Sequence, residues 1–190
     1  MLNRKIHREL LARIVAPSSL VFILFMTAFI SGWSQQEVLD VKTYVSQDGV
    51  HPGGVIDIAF LLDILPGWHI NGPELADPYL ISCALLVDED DKVEVKEVYY
   101  PEPETRSYGF SEVDLQVYEG KVVFGARIKV SDAIALGEFV LNASLLYQAC
   151  DEASCLPPET LKFEVPFQVV PAAQQIKRIN EEIFKQIEFR

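Results

Sequence analysis

The chain contains few of the side chains that most often carry chemistry. Its 190 residues include only three cysteines and three histidines. No two histidines stand at metal-ligand spacing, and no second cysteine pair accompanies Cys150 and Cys155. A zinc site is therefore not expected, because such a site needs about four ligands. The sequence also lacks a glycine-rich phosphate loop, a Cys-x-x-Cys motif and a βαβ pattern, which argues against a thioredoxin fold. We expect no metal and no bound cofactor.

Basic residues are concentrated at the N-terminus. Residues 1–34 combine four basic side chains, an apolar run and the small residues of Gly32-Trp33-Ser34, which is the layout of a signal peptide. The apolar run is short for a membrane span, which needs about 20 residues, so we expect cleavage after Ser34 rather than an uncleaved anchor. We therefore place the mature domain in the periplasm or another extracytoplasmic compartment, where disulfides persist.

The mature chain is strongly acidic. The leader holds four of the 16 basic residues and one of the 28 acidic residues, so its removal leaves 12 basic and 27 acidic side chains, a formal net charge of −15. Such a charge argues against nucleic acid and anionic membranes as partners. It would suit a partner with a basic rim, although solubility alone also accounts for an acidic surface.

Residues 35–171 are predicted to form one domain of short strands. Segments in which apolar and polar residues alternate, bounded by Gly, Pro and Asp, are typical of strands. Such segments, together with one apolar run, occupy residues 39–45, 56–64, 80–87, 93–99, 122–130, 139–147 and 161–169. Seven to nine strands without an intervening helix predict an all-β fold, an antiparallel β-sandwich.

Residues 172–190 show a different periodicity. Ile176, Ile179, Ile183 and Ile187 recur at spacings of three and four, and charged residues occupy the other face. This pattern is typical of an amphipathic helix. We expect a C-terminal helix of about five turns that lies against the sandwich or against a partner.

The pair Cys150 and Cys155 lies between the last two predicted strands, at the mouth of a hairpin where a disulfide can form. A bond across so short a loop stabilises a fold by only roughly 2 kcal/mol, which suits a pair that opens and closes better than a staple. Asp151 and Glu152 lie within the loop, and their negative charge should raise the pKa of a neighbouring thiol. The spacing alone leaves a second function open, a secreted binding module with a purely structural hairpin disulfide.

The remaining candidate residues are interpreted as structural. Cys83 lies in an apolar predicted strand, where a free thiol behaves as a small hydrophobic side chain. Trp68 and His69, within Gly67-Trp68-His69, are interpreted as packing residues rather than catalytic residues.

The segment Tyr147-Gln-Ala-Cys-Asp-Glu-Ala-Ser-Cys-Leu-Pro-Pro-Glu-Thr160 resembles the active-site segment of the N-terminal periplasmic domain of the thiol:disulfide interchange protein DsbD. Pro66-Gly-Trp-His-Ile-Asn71, Tyr100-Pro-Glu-Pro-Glu104 and Val117-Tyr-Glu-Gly120 are also similar to segments of that family. The resemblance extends from about Glu37 to Pro171, and its most specific part is the pairing of Tyr-Gln-x-Cys with Cys-x-Pro-Pro. It implies an immunoglobulin-like sandwich that carries one redox-active cysteine pair.

The resemblance also implies a role for each site residue. Cys155 would form the mixed disulfide with partners, and Cys150 would be the resolving thiol. A cap loop that matches Thr105–Phe110 would shield the pair with an aromatic side chain, either Tyr108 or Phe110.

The partners are implied in the same way. The domain would relay electrons from a membrane or thioredoxin-like donor to periplasmic disulfide proteins, including those of cytochrome c maturation. Because the sequence stops at Arg190, before the multi-helix membrane domain of the family, we expect a separate membrane protein to be the electron donor. Such a component of a protein-disulfide reductase works by thiol-disulfide exchange without a bound cofactor.

Overall fold

The computed structural model describes residues 37–189, so the predicted signal peptide lies outside the described residues. Their regular secondary structure is nearly all strand, which confirms the predicted all-β class. The strands are β1 Leu39–Val45, β2 Val55–Ile64, β3 His69–Asn71, β4 Ala84–Val87, β5 Val93–Tyr99, β6 Glu104–Arg106, β7 Leu115–Glu119, β8 Lys121–Val130, β9 Gly137–Tyr147, β10 Ala149–Cys150 and β11 Glu159–Val169. One short helix, α1, spans Glu181–Phe184. Within the described part of the chain, no helix is both long and apolar enough to cross a membrane.

The first sheet has four antiparallel strands in the order β1-β2-β8-β5, and we call it the large sheet. Its central strands β2 and β8 pair along their whole lengths, with Phe60 opposite Phe124. Alternation places these rings in the core, where both are fully buried. The opposite face carries Asp57 and Arg127, whose guanidinium donates two hydrogen bonds of 2.7 and 3.1 Å to the carboxylate.

The second sheet contains β11, β9 and β4 in that order and faces the large sheet across the core. Strands β9 and β11 form a long hairpin in which Tyr147 pairs with Glu159 at one end and Gly137 with Val169 at the other. The rings of Phe60 and Phe163, one from each sheet, have centroids 5.5 Å apart. The two layers therefore form the antiparallel sandwich that the strand pattern predicts, with the immunoglobulin-like character that the family resemblance implies.

A third sheet, which we call the small sheet, has the order β10-β3-β7-β6 and strands of two to five residues. It is joined to the core through Tyr118 on β7, whose ring centroid lies 5.1 Å from that of Phe124 on β8. Strand β10 continues the direction of β9 beyond Gln148 and pairs with β3. The small sheet therefore carries Cys150 at the end of the sandwich.

The predicted strand at residues 80–87 is only half formed, since β4 begins at Ala84. The preceding residues are held by hydrogen bonds that do not belong to a regular ladder. Ile81 donates its N–H to the side chain of Gln148 at 2.9 Å, and Cys83 donates to the carbonyl of Gly72 at 3.1 Å. A strand assignment for residues 80–83 is therefore wrong, because these residues instead bond to Gly72 and Gln148, which adjoin the small sheet.

The predicted five-turn C-terminal helix is wrong in length, since α1 has only four residues. Residues before it run along the edge of the sandwich, where Arg178 forms a β-bridge with Gln47 and Ile179 donates a 3.0 Å hydrogen bond to Ser46. Asn180, at φ 55°, has left-handed backbone geometry and interrupts a continuous helix. Backbone pairing with the sandwich thus prevails over the helical spacing of the isoleucines.

The last residues of this segment cover the outer face of the large sheet. Phe189 lies 4.3 Å from the guanidinium carbon of Arg127, measured to its ring centroid, in a cation–π contact. A Cβ atom at Gly125 would come within 2.9 Å of Ile187 and 3.0 Å of Phe189, so glycine permits this close approach. Of the two predicted positions of the segment, against the sandwich or against a partner, the structure shows the first.

Candidate functional site

The site is centred on a disulfide between Cys150 and Cys155. The sulfur atoms lie 2.03 Å apart and the Cα atoms 3.9 Å apart. Cys150 is the last residue of β10, and Cys155 faces it in an isolated antiparallel bridge, followed by a hydrogen bond of 2.8 Å from the N–H of Leu156 to the carbonyl of Ala149. The pair therefore closes the small hairpin that the sequence predicts between β9 and β11.

Asp151 organises the loop between the two cysteines. Its carboxylate accepts hydrogen bonds from the backbone N–H groups of Ala153 at 2.8 Å and Ser154 at 2.7 Å, as in an Asx-turn. These bonds lower the pKa of the Asp151 carboxyl, so the group is ionised at neutral pH. Glu152 is exposed on the same loop. The expectation that both acidic residues raise the pKa of a neighbouring thiol stays a prediction.

The two cysteines differ in accessibility. Cys150 is fully buried, whereas Cys155 is only partly buried. Cys155 is therefore the more accessible residue of the pair. This asymmetry arises because Cys150 sits within the small sheet, while Cys155 lies in the irregular segment that precedes β11.

Gln148 connects the segments that surround the disulfide. Its side-chain oxygen accepts hydrogen bonds from the N–H of Ile81 at 2.9 Å and from the amide of Asn71 at 3.4 Å. Its side-chain nitrogen donates to the carbonyl of Leu156 at 3.2 Å, just after Cys155. One buried amide thus fixes both sides of the cysteine hairpin, which explains why a Gln stands two residues before Cys150.

His69 lies beside the cysteine pair. It is directly opposite Cys150 in the β3–β10 pairing and directly opposite Glu119 in the β3–β7 pairing. The residue is 2% exposed, and its Nε2 atom has no hydrogen-bond partner in the part of the chain that the structure describes. Burial lowers the pKa of His69 below its ordinary value, against the opposing effect of the Glu119 and Asp151 carboxylates.

Sequence reasoning interpreted His69 as a packing residue and did not place it at the site. The pairing of β3 with β10 joins residues about 80 positions apart, which no local pattern reveals. The signal that could have indicated it is the Gly67-Trp68-His69 segment, because that segment belongs to the same family resemblance as the cysteine motif.

The predicted cap loop brings its two aromatic residues onto His69. The Tyr108 ring stacks on the imidazole with centroids 4.2 Å apart, and Phe110 stacks on Tyr108 at 5.4 Å. The Tyr108 hydroxyl donates a hydrogen bond of 3.2 Å to Glu119. Burial, with the Glu119 charge as a second cause, raises the pKa of Tyr108 to about 12. Both rings therefore lie at the small sheet, next to the residue that pairs with Cys150.

Cys83 is separate from this pair. It is 2% exposed and is not part of a disulfide. Burial raises the pKa of its thiol to about 12, so the thiol is protonated and unreactive at neutral pH. The prediction of a buried, packing cysteine is confirmed.

The fold and the site define an all-β sandwich domain with a disulfide hairpin at one end. The family model for the N-terminal region of the thiol:disulfide interchange protein DsbD matches residues 35–166. The chain therefore belongs to this family.

Other comparisons are more distant. The N-terminal periplasmic domain of ScsB from Proteus mirabilis is 16% identical, with a TM-score of 0.48, over 72% of this chain and 49% of that one. The chain thus spans about half the length of that ScsB domain. The GAE domain of GGA2p from Saccharomyces cerevisiae is 15% identical, with a TM-score of 0.40, over 70% of this chain and 93% of that one. No curated protein matches the chain.

Proposed function

We propose that the chain is an extracytoplasmic thiol-disulfide exchange module that relays electrons through Cys150 and Cys155. The observation that carries this proposal is the cysteine pair in the segment that resembles the family's active site. The pair forms a disulfide in which Cys155 is partly exposed and Cys150 is fully buried. An exchanging pair needs one residue that a partner's sulfur can reach and a second thiol that resolves the mixed disulfide, which can be buried beside the first. Cys155 fits the first role and Cys150 the second.

The reduced form donates two electrons to a partner disulfide. The Cys155 thiolate attacks one partner sulfur, so a mixed disulfide forms and the second partner sulfur leaves as a thiolate. Cys150 then attacks Cys155, the bond between Cys155 and the partner breaks, and the internal disulfide forms again. The partner ends as a dithiol, and the module ends oxidised. A donor dithiol reverses these steps and returns the module to its reduced form.

Tyr108 and Phe110 act as the cap of this site in the proposed mechanism. Their stack on His69 places two rings beside the strand residue that pairs with Cys150. Rings in this position exclude water and small oxidants from a reduced pair. A partner then has to displace the loop before its sulfur atom can align with the bond between the cysteines.

The proposed partners are thioredoxin-like domains and periplasmic disulfide proteins, with electrons supplied from a membrane-embedded donor. Family membership supports this class of partner. The acidic residues Asp151 and Glu152 lie in the loop between the cysteines, so a partner with basic residues around its own cysteine would be favoured.

A trapping experiment tests these roles. The partner is a thioredoxin-like domain with one cysteine, activated as its mixed disulfide with thionitrobenzoate. Reduced Cys150→Ser protein should displace thionitrobenzoate and accumulate a covalent complex on non-reducing gels, because no resolving thiol remains. Cys155→Ser protein should form little complex, because Cys150 is fully buried. A Cys83→Ala background removes the third thiol as a source of complex. Equal trapping by both variants would contradict the assigned roles.

A further inference from the structure

The imidazole of His69 has an unsatisfied nitrogen in a buried place. The residue is 2% exposed, and Nε2 lacks a hydrogen-bond partner among the described residues. Buried polar atoms are rarely left unpaired, because they lose their bonds to water without replacement. Stacking on Tyr108 explains the position of the ring but provides no hydrogen-bond partner for this nitrogen. We therefore consider a role for Nε2 in a state of the site other than the closed disulfide.

Four residues stand side by side across the small sheet, in the order Cys155, Cys150, His69 and Glu119. Cys150 is paired with Cys155 on one side and with His69 on the other, and His69 is paired with Glu119. Directly paired residues in antiparallel strands present their side chains on the same face, with Cβ atoms about 4.5–5.5 Å apart. His69 is therefore the direct cross-strand neighbour of the buried cysteine.

We propose that His69 is the base that accepts the proton of Cys150 when the mixed disulfide at Cys155 is resolved, an inference that rests on the proposed exchange function. The Cys150 thiol gives its proton to the imidazole as its sulfur attacks Cys155. The Cys150–Cys155 bond forms, the bond from Cys155 to the partner breaks, and the partner leaves as a thiolate that takes the proton from the imidazolium.

Cys150 needs such a base because its surroundings oppose its ionisation. It is fully buried, and the ionised Asp151 follows it in the chain. Both features disfavour a thiolate in the absence of a proton acceptor. His69 is a suitable acceptor, because burial keeps its pKa below the ordinary value and the ring is neutral at neutral pH.

The charges around His69 favour the imidazolium once it forms. Glu119 faces the ring from β7, and Asp151 faces it from the cysteine loop; both act to raise its pKa. Tyr108 covers the ring from the cap as a neutral phenol, since its pKa is about 12. Arg106, with its Nε 4.0 Å from Glu119, is the nearby cation and partly offsets that carboxylate. The site can therefore hold the proton for the duration of one step.

The reaction of the reduced protein with dithiobisnitrobenzoate separates the two exchange steps. Attack by Cys155 releases the first thionitrobenzoate at a rate proportional to reagent concentration. Attack by Cys150 on the resulting mixed disulfide releases the second at a rate independent of reagent concentration. Both phases release thionitrobenzoate, which is followed by its absorbance, so one stopped-flow trace gives both rates.

His69→Phe keeps an aromatic ring against Tyr108 but removes the base. The second phase should slow by about 100-fold at pH 7, at the low end of what a positioned base contributes, while the first phase stays within about twofold. In the unchanged protein, the second phase should be nearly flat between pH 7.5 and 8.5, because His69, with a pKa below its ordinary value, is neutral there. In the variant, it should rise about tenfold per pH unit, because the thiol itself must ionise.

A second variant, His69→Gln, and the unchanged protein keep the inference testable if His69→Phe fails to fold. The role of His69 would be overturned if the second-phase rate of the unchanged protein rose about tenfold per pH unit. It would also be overturned if the unchanged protein and either variant had equal second-phase rates. Both results would leave the exchange function intact. Absence of any concentration-independent second phase in the unchanged protein would overturn the exchange function itself.

Discussion

The large sheet and the small sheet have the same number of strands but are stabilised differently. The large sheet has strands of seven to ten residues, and its inward positions are filled by apolar side chains such as Ile58 and Phe60. The small sheet has strands of two to five residues. The polar side chains buried within residues 37–189 all belong to the small sheet or adjoin it, namely His69, Asn71 and Gln148.

Because of this difference, the large sheet provides most of the stability of the domain, while the small sheet carries the proposed reactive site. Apolar burial in the large sheet contributes roughly 1.5–3 kcal/mol for each large side chain and does not depend on the redox state. The small sheet also buries apolar side chains, among them Ile70 and Val117, but it adds buried polar groups with hydrogen bonds, stacked rings and one disulfide. Such a region can change its contacts at a modest cost in free energy, which an exchanging site requires.

Replacing a core ring should have the largest effect. Phe60→Ala removes a fully buried ring that contacts Phe163, and we expect a loss of about 3–5 kcal/mol in the free energy of unfolding. Urea denaturation measures this loss. Val140→Ala, at a position 56% exposed, is the matched control and should change stability by less than about 0.5 kcal/mol. Similar losses in the two variants would contradict the assignment of the core.

Breaking the polar network of the small sheet should cost less and act locally. Gln148→Ala leaves the N–H of Ile81 without its partner, and we expect a loss of about 1–3 kcal/mol. Hydrogen exchange at the Ile81 amide should accelerate, while the amides of β2 and β8 stay protected. Gln168→Ala, which removes an exposed bond to Glu138, is the control. Equal exchange at Ile81 in both variants would mean that Gln148 does not organise the hairpin.

Reduction of the disulfide should lower stability without unfolding the domain. The loop between Cys150 and Cys155 is short, so its closure contributes only roughly 2 kcal/mol, a modest part of a typical 5–15 kcal/mol. Thermal unfolding with reductant should stay cooperative and begin at a lower temperature. Loss of the cooperative transition would favour the alternative, a binding module whose disulfide is purely structural.

Removing the cap rings should change reactivity rather than stability. Replacing both Tyr108 and Phe110 with Ala should speed the reaction of the reduced pair with a small alkylating reagent by several-fold, because the rings no longer exclude it. Tyr79→Ala, which removes an aromatic side chain that is 90% exposed, is the control. Alkylation rates that match those of the control would show that the loop does not shield the cysteines.

The two sheets also differ in how well the sequence predicts them. The long strands are predicted correctly because a period of two, repeated over seven or more residues, is a strong local signal. Strands of two or three residues, such as β10 and β3, are too short to show a period. Their pairing, which brings His69 to Cys150, depends on residues far apart in sequence.

In the C-terminal segment, the sequence pattern predicts more regular structure than the chain forms. Four isoleucines at helical spacing predict a long helix, yet the chain bonds to Ser46 and Gln47 before α1 begins. Backbone hydrogen bonds with the edge of the sandwich satisfy groups that a helix would otherwise satisfy internally. The cysteine hairpin itself was predictable, because its position between two strong strand patterns places both thiols at one end.

The reduction potential of the Cys150–Cys155 pair tests the central claim most directly. It can be measured by equilibrating the protein in glutathione buffers of known ratio and separating its oxidised and reduced forms by alkylation and mass spectrometry. An exchanging pair should have a potential above about −300 mV, within reach of thioredoxin-like partners. A value below about −300 mV, typical of structural disulfides in secreted proteins, would contradict the account.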